Sequence, residues 1–379
     1  MSKIRSTDDV TRAVLARPEV VRLSELVHSQ DPGLVRDTVL AYLDELRTTQ
    51  RYPFYRALQH PLYPILRKVT RHDEHIDIVH DAVRGHRVVY ASNHRSHIDY
   101  LVEPLVLDDN GVRPPIIAAG INLFGGPLGL LHRHVTGAIP IRRNTRDPGY
   151  LIILKAYVAE LLKEHDLLFY LEGGRSYSGE LKPPKTGLIH AAMQAERGDL
   201  VIVPTAIAYD LVLEDRVLAR QGIKRRQRAF TSELAEMIGL AVGYRSRAFV
   251  TFGEPIRAAD YNAESRRDIL DLAHRTRDAI GKIVRVLPTS VVCAAMQPSI
   301  DRKDLESRAD RLLERLRSVN ANLGVASGRQ AVEEATRALV ARSVLVVERE
   351  RYRIRDRNVL RYYARTISHL LSQANERAH

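Results

Sequence analysis

The sequence predicts an α/β fold: a mixed sheet flanked by helices, with an N-terminal helical cap and a mainly helical C-terminal region. Two observations predict it. Between residues 86 and 287, short apolar runs alternate with stretches of helical periodicity, the pattern of strands joined by helices. Outside that region helical spacing dominates. The chain of 379 residues therefore divides into 1–84, an N-terminal helical region, 85–298, an α/β domain, and 299–379, a mainly helical region.

In order, Val35, Val39, Leu40, Leu43 and Leu46 have helical spacing, and Pro53, Pro61 and Pro64 punctuate the next segment. Strands are expected at His86–Ser92, Pro115–Ile121, Gly137–Arg142, Asp166–Glu172, Leu200–Tyr209 and Arg247–Phe252. Helices are expected at His97–Leu107, Tyr150–Lys163, Thr186–Arg197, Ser232–Ala241 and Glu264–Val286. Thr186 is an expected N-cap and Gly198 an expected C-cap. From Asp301 the chain reads as charged helices, broken by a strand-like pair, Val344–Val347 and Tyr352–Arg355. In the last helix Leu360, Tyr363, Ile367, Leu370 and Leu371 form a stripe expected to be core packing.

The net charge of +12 implies anionic partners such as nucleic acid, anionic lipid or phosphorylated substrates. The absence of tryptophan weakens any reading based on base stacking. Cys293, the single cysteine, lies in an apolar run and reads as a small core residue. Residues 1–12 are polar and carry no signal-peptide core. The longest charge-free stretch, Pro114 to Leu131, holds seven Gly or Pro in eighteen residues, which disfavours a membrane span.

The most informative segment is Asn93-His94-Arg95-Ser96-His97-Ile98-Asp99, after an expected strand and opening an expected helix. A histidine with an aspartate five residues on can make an alcohol nucleophilic. The imidazole takes the hydroxyl proton, and the carboxylate holds the other ring nitrogen. The substrate then supplies its own nucleophile. The spacing recurs at His72 and Asp77, in a charged stretch with no expected strand, read as a solvated surface segment. His94, His97 and Asp99 could surround zinc, but no cysteine or further His-rich segment supplies more ligands, so no metal is expected.

Glu172-Gly173-Gly174-Arg175-Ser176 ends another expected strand. Paired glycines let backbone N–H groups approach an anion, and Arg175 adds a forked donor suited to phosphate. Gly174 to Ser178 lacks the last glycine of a nucleophile elbow. Gly179 to Thr186 has Pro184 in place of a P-loop glycine, which argues against an ATPase. Arg142 and Arg143 end the strand from Gly137, and one of them is expected to bind substrate.

Together these segments resemble the glycerophospholipid acyltransferase family, most closely its bacterial membrane-associated glycerol-3-phosphate acyltransferases. Four blocks stand in the family's order. They are His94 to Leu101; Ala118-Ala119-Gly120-Ile121-Asn122 leading to Gly137 through Arg143; Glu172 to Ser176 continued by Pro184-Lys185-Thr186-Gly187; and Ile202-Val203-Pro204-Thr205. The likeness extends from about residue 40 to 371, with Ile139-Pro140 where the family has an aromatic pair.

The resemblance implies O-acyl transfer from acyl-CoA or acyl-carrier protein to glycerol-3-phosphate, with no cofactor. Dihydroxyacetone phosphate and lysophosphatidate are alternative acceptors. It implies His94 as general base and Asp99 as its orienting carboxylate, the base kept neutral by a helix N-terminus. Arg142, Gly173, Gly174 and Arg175, with Lys185, are expected around the acceptor phosphate. Glu172, Ser176 and Pro204 are placed in the same site. A peripheral position on the cytoplasmic face of an anionic membrane is expected, with the Lys224-Arg225-Arg226-Gln227-Arg228 loop contributing. No nucleic acid is expected. The rival readings are a basic binding protein, in which residues 344–355 mimic a winged helix, and an esterase using His94 on water.

Overall fold

A computed structural model describes residues 7–27, 32–51, 69–121, 124, 133, 136–195, 198–224 and 246–378. The expectations for Pro53, Pro61, Pro64, Asn122, the helix Ser232–Ala241 and residues 225–228 lie outside the described residues, as does the later part of the charge-free run.

Three helices come first: α1 (Thr7–Leu15), α2 (Pro18–Val27) and α3 (Pro32–Leu46). After them come β1 (Val69–Glu74), α4 (Ile76–Gly85), β2 (Arg87–Ser92), α5 (Asp99–Asp109), β3 (Ile116–Gly120) and β4 (Ala138–Ile141). The chain continues through α6 (Pro148–Leu161), β5 (Leu167–Tyr170), α7 (Gly187–Met193), β6 (Leu200–Tyr209), α8 (Asp215–Lys224) and β7 (Ser246–Phe252). The short strand β8 (Ile256–Arg257) leads to α9 (Arg266–Ile283) and α10 (Pro288–Ala295).

Strands β1 to β8 form one sheet of order β1-β7-β6-β2-β5-β3-β4, with β8 also on β6. Pairing is parallel except that β6 meets β7 and β8 antiparallel. The expected mixed sheet is therefore present. The strand β2 sits at its middle, between β6 and β5. Successive residues of a strand face opposite sides. Val88 and Tyr90 join one core, with α5 and the C-terminal helices. Val89 and Ala91 join the other, with α6, α7 and the N-terminal helices.

Four expectations need correction. The stretch around His72 is the edge strand β1, paired with β7, rather than a segment without a strand. Its His72 and Asp73 stay exposed, which is why the apolar pattern is missing. The helix expected to reach Arg197 ends at Met193 with Gln194 as C-cap, so Gly198 caps nothing. Thr186 does occupy the N-cap position, but its hydroxyl makes no capping bond. Asp147 and Ser265 cap α6 and α9 with their side chains, satisfying otherwise orphaned amides.

The C-terminal region contains β9 (Ser299–Asp301), α11 (Arg302–Ser318), α12 (Gly328–Ala341), β10 (Leu345–Glu348), β11 (Arg351–Ile354), α13 (Arg357–Arg365) and α14 (Ser368–Ala378). The expected strand pair is a hairpin completed by β9 into a three-stranded sheet. The stripe of the last helices is core as expected: Tyr363, Ile367 and Leu370 are buried, and Cys293 is a buried core residue of α10. Tyr363 fastens this region to the segment between β6 and α8. Its hydroxyl accepts from Val212 N at 2.9 Å and donates to Asp215 Oδ2 at 2.8 Å.

Candidate active site

At the C-terminal end of β2 the chain turns through residues 93–98 into α5. Asn93 keeps this loop in the plane of the sheet: Nδ2 donates to Ile207 O at 3.1 Å and Oδ1 accepts from Ile207 N at 2.7 Å. His94 is the next residue. Ligand sites of open α/β sheets gather at the carboxyl ends of strands.

His94 Nδ1 lies 2.8 Å from Asp99 Oδ2. The same oxygen accepts from Arg95 N at 2.7 Å and Ser96 N at 2.9 Å. Asp99 Oδ1 accepts from the Tyr209 hydroxyl at 2.7 Å. Asp99 is fully buried. Four donors around one carboxylate hold it ionised and fix the proton of His94 on Nδ1. The free lone pair of Nε2 is then available to a substrate, and His94 lines the cleft beside it. The ring stacks on Tyr170, centroids 3.9 Å apart and planes 11° apart.

Burial drives the imidazole well below its usual pKa, and the charges of Arg175, Arg143, His97 and Lys182 push the same way. Burial raises Asp99 to about 6, against the opposing pull of its hydrogen bonds. Burial and the surrounding cations thus favour the neutral imidazole, whose ring is bonded to Asp99, the first residue of α5. A reaction that used this pair as its base would need it unprotonated, so its rate should persist as pH falls and be lost only near about 6 or below. A kcat/KM profile with its acid limb at or above neutrality would contradict this.

The cleft has a volume of ≈ 390 Å³. Its lining combines cationic groups, Arg143, Arg175, Lys155 and Lys185 with the Gly173-Gly174 turn, and apolar side chains, Leu151 and Leu154 of α6, Leu188 of α7 and Phe169 of β5. Gly173 has φ +67°, a left-handed conformation suited to glycine, and Lys185 packs over it.

The expected site residues divide. His94, Gly173, Gly174, Arg175 and Lys185 come together around the cleft. Glu172 sits behind it, buried, where Oε1 accepts from His94 N at 3.3 Å and Oε2 from Lys182 N at 3.3 Å. Ser176 is a support: its amide donates to His94 O at 3.0 Å and its hydroxyl to Glu180 O at 2.7 Å. Pro204 is a mid-strand residue of β6 opposite Ala91 and does not line the cleft.

Arg142 is a correction. It reaches the cleft wall, but its guanidinium is committed to Glu45, at 2.8 and 2.5 Å, and lies over the rings of Tyr42 and Tyr150. Arg143 turns inward instead. A Cβ at Gly120 would sit 2.5 Å from its Nε, and one at Gly174 3.8 Å from its Nη1. Arg142→Ala should then cost about 1–2 kcal/mol of stability, since its partners are only partly shielded. Thermal unfolding would check this, with the Michaelis constants little changed.

Four further residues of the site were not singled out from sequence: Arg143 as the inward arginine, Tyr170, Tyr209 and Glu214. Glu214 is buried, and its carboxylate accepts from Ser96 Oγ at 2.9 and 2.8 Å and from His97 N at 2.6 Å. It also lies 3.7 Å from Arg175 Nη1, so it fixes the loop and the arginine together. Only the doublet Arg142-Arg143 carried a local signal; the others come from distant strands and turns. Among the described residues no His, Cys, Asp and Glu side chains converge as a metal site.

This arrangement defines an α/β protein with a histidine–carboxylate base beside a cationic cleft. Residues 70–208 match the acyltransferase family. Proteins named glycerol-3-phosphate acyltransferase are similar: one from Haemophilus ducreyi is 31% identical over 324 residues, 76% of this chain and 40% of that protein. One from Pseudomonas entomophila is 36% identical over 201 residues, 51% of this chain and 24% of that protein. Residues 70–208 thus carry a domain of the acyltransferase family. The chain spans less than half the length of these relatives. Among solved structures, the 1-acyl-sn-glycerophosphate acyltransferase PlsC from Thermotoga maritima is similar over 56% of this chain and 71% of that chain, at 15% identity and a TM-score of 0.33.

Proposed function

We propose that this protein transfers a fatty acyl group from acyl-CoA or acyl-carrier protein to glycerol-3-phosphate, giving lysophosphatidate for phospholipid synthesis. The observation that carries the reading is the buried His94–Asp99 pair beside a cleft lined by both cationic and apolar side chains. His94 Nε2 takes the acceptor's hydroxyl proton while Nδ1–H stays on Asp99. The oxygen attacks the thioester carbonyl, the tetrahedral intermediate expels the thiolate, and His94 returns the proton to sulfur. No acyl-enzyme is needed. Arg143, Arg175 and the Gly173-Gly174 turn hold the acceptor phosphate, with Lys185 at its edge. The names of the similar proteins support glycerol-3-phosphate over the other acceptors. The test is purified protein with radiolabelled glycerol-3-phosphate and palmitoyl-CoA or palmitoyl-carrier protein, products resolved by chromatography. Thioester consumption that ignores glycerol-3-phosphate would make the protein a hydrolase.

The arginines give a sharper check. Removing one phosphate contact costs about 1.5–3 kcal/mol, roughly one to two decades in affinity. Arg143→Ala or Arg175→Ala should raise the Michaelis constant for glycerol-3-phosphate far more than that for the acyl donor. An effect confined to the donor would assign these arginines to the donor's phosphates.

Peripheral attachment to an anionic membrane completes the proposal. Its support is the +12 charge; no helix among the described residues is long and apolar enough to cross a membrane. Each basic residue near an anionic surface contributes about 1 kcal/mol, screened within roughly 10 Å at 0.1 M salt. Co-sedimentation with phosphatidylglycerol vesicles should be strong at low salt and weaken when Lys224, Arg225, Arg226 and Arg228 become Gln. Salt-insensitive binding to neutral vesicles would point to an apolar anchor instead.

A further inference from the structure

One turn beyond Asp99, on the same face of α5, lies a second buried carboxyl, Glu103, with no solvent exposure. It accepts a hydrogen bond from Ser92 Oγ on β2. Its other oxygen, Oε2, and the buried hydroxyl of Tyr170 on β5 interact with one another, and among the described residues neither has a further hydrogen-bond partner. Around Glu103 stand Asp99, Ser92, Tyr170 and, from β6, Tyr209; no cation among the described residues pairs with it. Asp99, by contrast, collects four donors.

Two carboxylates in one buried pocket cannot both be charged without large cost, so the negative charge goes where the donors are. A carboxylic acid O–H on Glu103 Oε2 can donate to the Tyr170 oxygen, joining the two groups without a second buried charge. The Tyr170 ring stacks on the His94 imidazole. We propose that Glu103 is a positioning residue that carries a proton: as a neutral acid it seats Tyr170, and through it the His94 ring, without adding a second charge beneath Asp99. The inference rests on His94 being the base. Burial, and then the charge of Asp99, push the Glu103 pKa in the same direction.

The test is infrared spectroscopy of the full-length protein, without substrate, at a pH well above the value of about 6 for Asp99. A protonated-carboxyl carbonyl band that shifts in D₂O should be present in the wild type and disappear in Glu103→Gln. Its absence from the wild type, or its survival in that variant, overturns the proposal. Glutamine is neutral and keeps the donor, so Glu103→Gln should hold kcat within about threefold, whereas Glu103→Leu should lose about tenfold or more. A Glu103→Gln variant that folds yet loses as much as Glu103→Leu would require a charged Glu103. Since the band needs no substrate, it decides the charge of Glu103 separately from the acyl-transfer reading.

Discussion

A His94→Ala variant is expected to lose acyl transfer by about 10²–10⁴-fold, the usual worth of a positioned general base, while His72→Ala keeps most of the wild-type rate. Both histidines have an aspartate five residues on. Their surroundings differ in every respect that matters chemically. His72 is exposed on the edge strand β1 and stacks on Phe249 at 4.8 Å. Its Asp77 is an exposed residue of α4. His94 is buried, neutral and bonded to a carboxylate that three other donors also hold. Only there does proton uptake have both a lone pair facing a cleft and a counter-charge behind the ring. Initial rates with saturating glycerol-3-phosphate and palmitoyl-CoA, on variants with equal melting temperatures, read the difference. Equal losses in the two variants would place the active site elsewhere.

The strands of the sheet were legible because a centrally placed strand is apolar on both faces. His86–Ser92 and Leu200–Tyr209 announce themselves in this way, and β2 and β6 match them closely. Strand β1 was not legible. An edge strand needs only one buried side, and Val69 is its one buried residue. The same limit governs the site. The His94 and Asp99 pair is local, so its spacing could be read directly. The choice between Arg142 and Arg143 was not local. Adjacent residues leaving a strand point in opposite directions, and which one is captured depended on Glu45, ninety-seven residues earlier. Tyr209 and Glu214 reach the loop from more than a hundred residues away. Nothing in their own neighbourhoods marks them. Ser176 and Pro204 belong to the recognisable blocks and support the turn and the sheet, Ser176 through its bond to His94 O, without lining the cleft.

Asp99→Asn is expected to be nearly as damaging as loss of the histidine, about two to four decades in kcat, although it preserves shape. In one orientation the amide oxygen takes the place of Oδ2 and still accepts from His94 Nδ1, Arg95 N and Ser96 N. The amide nitrogen then faces Tyr209, whose hydroxyl must turn to accept. The geometry survives, but the imidazolium that forms in the transition state loses its counter-charge in a buried site. In the other orientation the amide N–H groups meet two backbone N–H groups, and His94 must carry its proton on Nε2, which removes the base. Neither arrangement restores transfer. A structural role alone predicts something different: a lowered melting temperature with the rate per folded molecule intact. The pH profile separates these readings further. Asp99 titrates at about 6 in the wild type, and the variant has no such carboxyl. Whatever rate remains should therefore follow His94 alone, whose pKa burial holds well below its usual value. An Asn variant that keeps both the wild-type rate and the wild-type acid limb would remove Asp99 from the catalytic pair and leave it a cap on the loop.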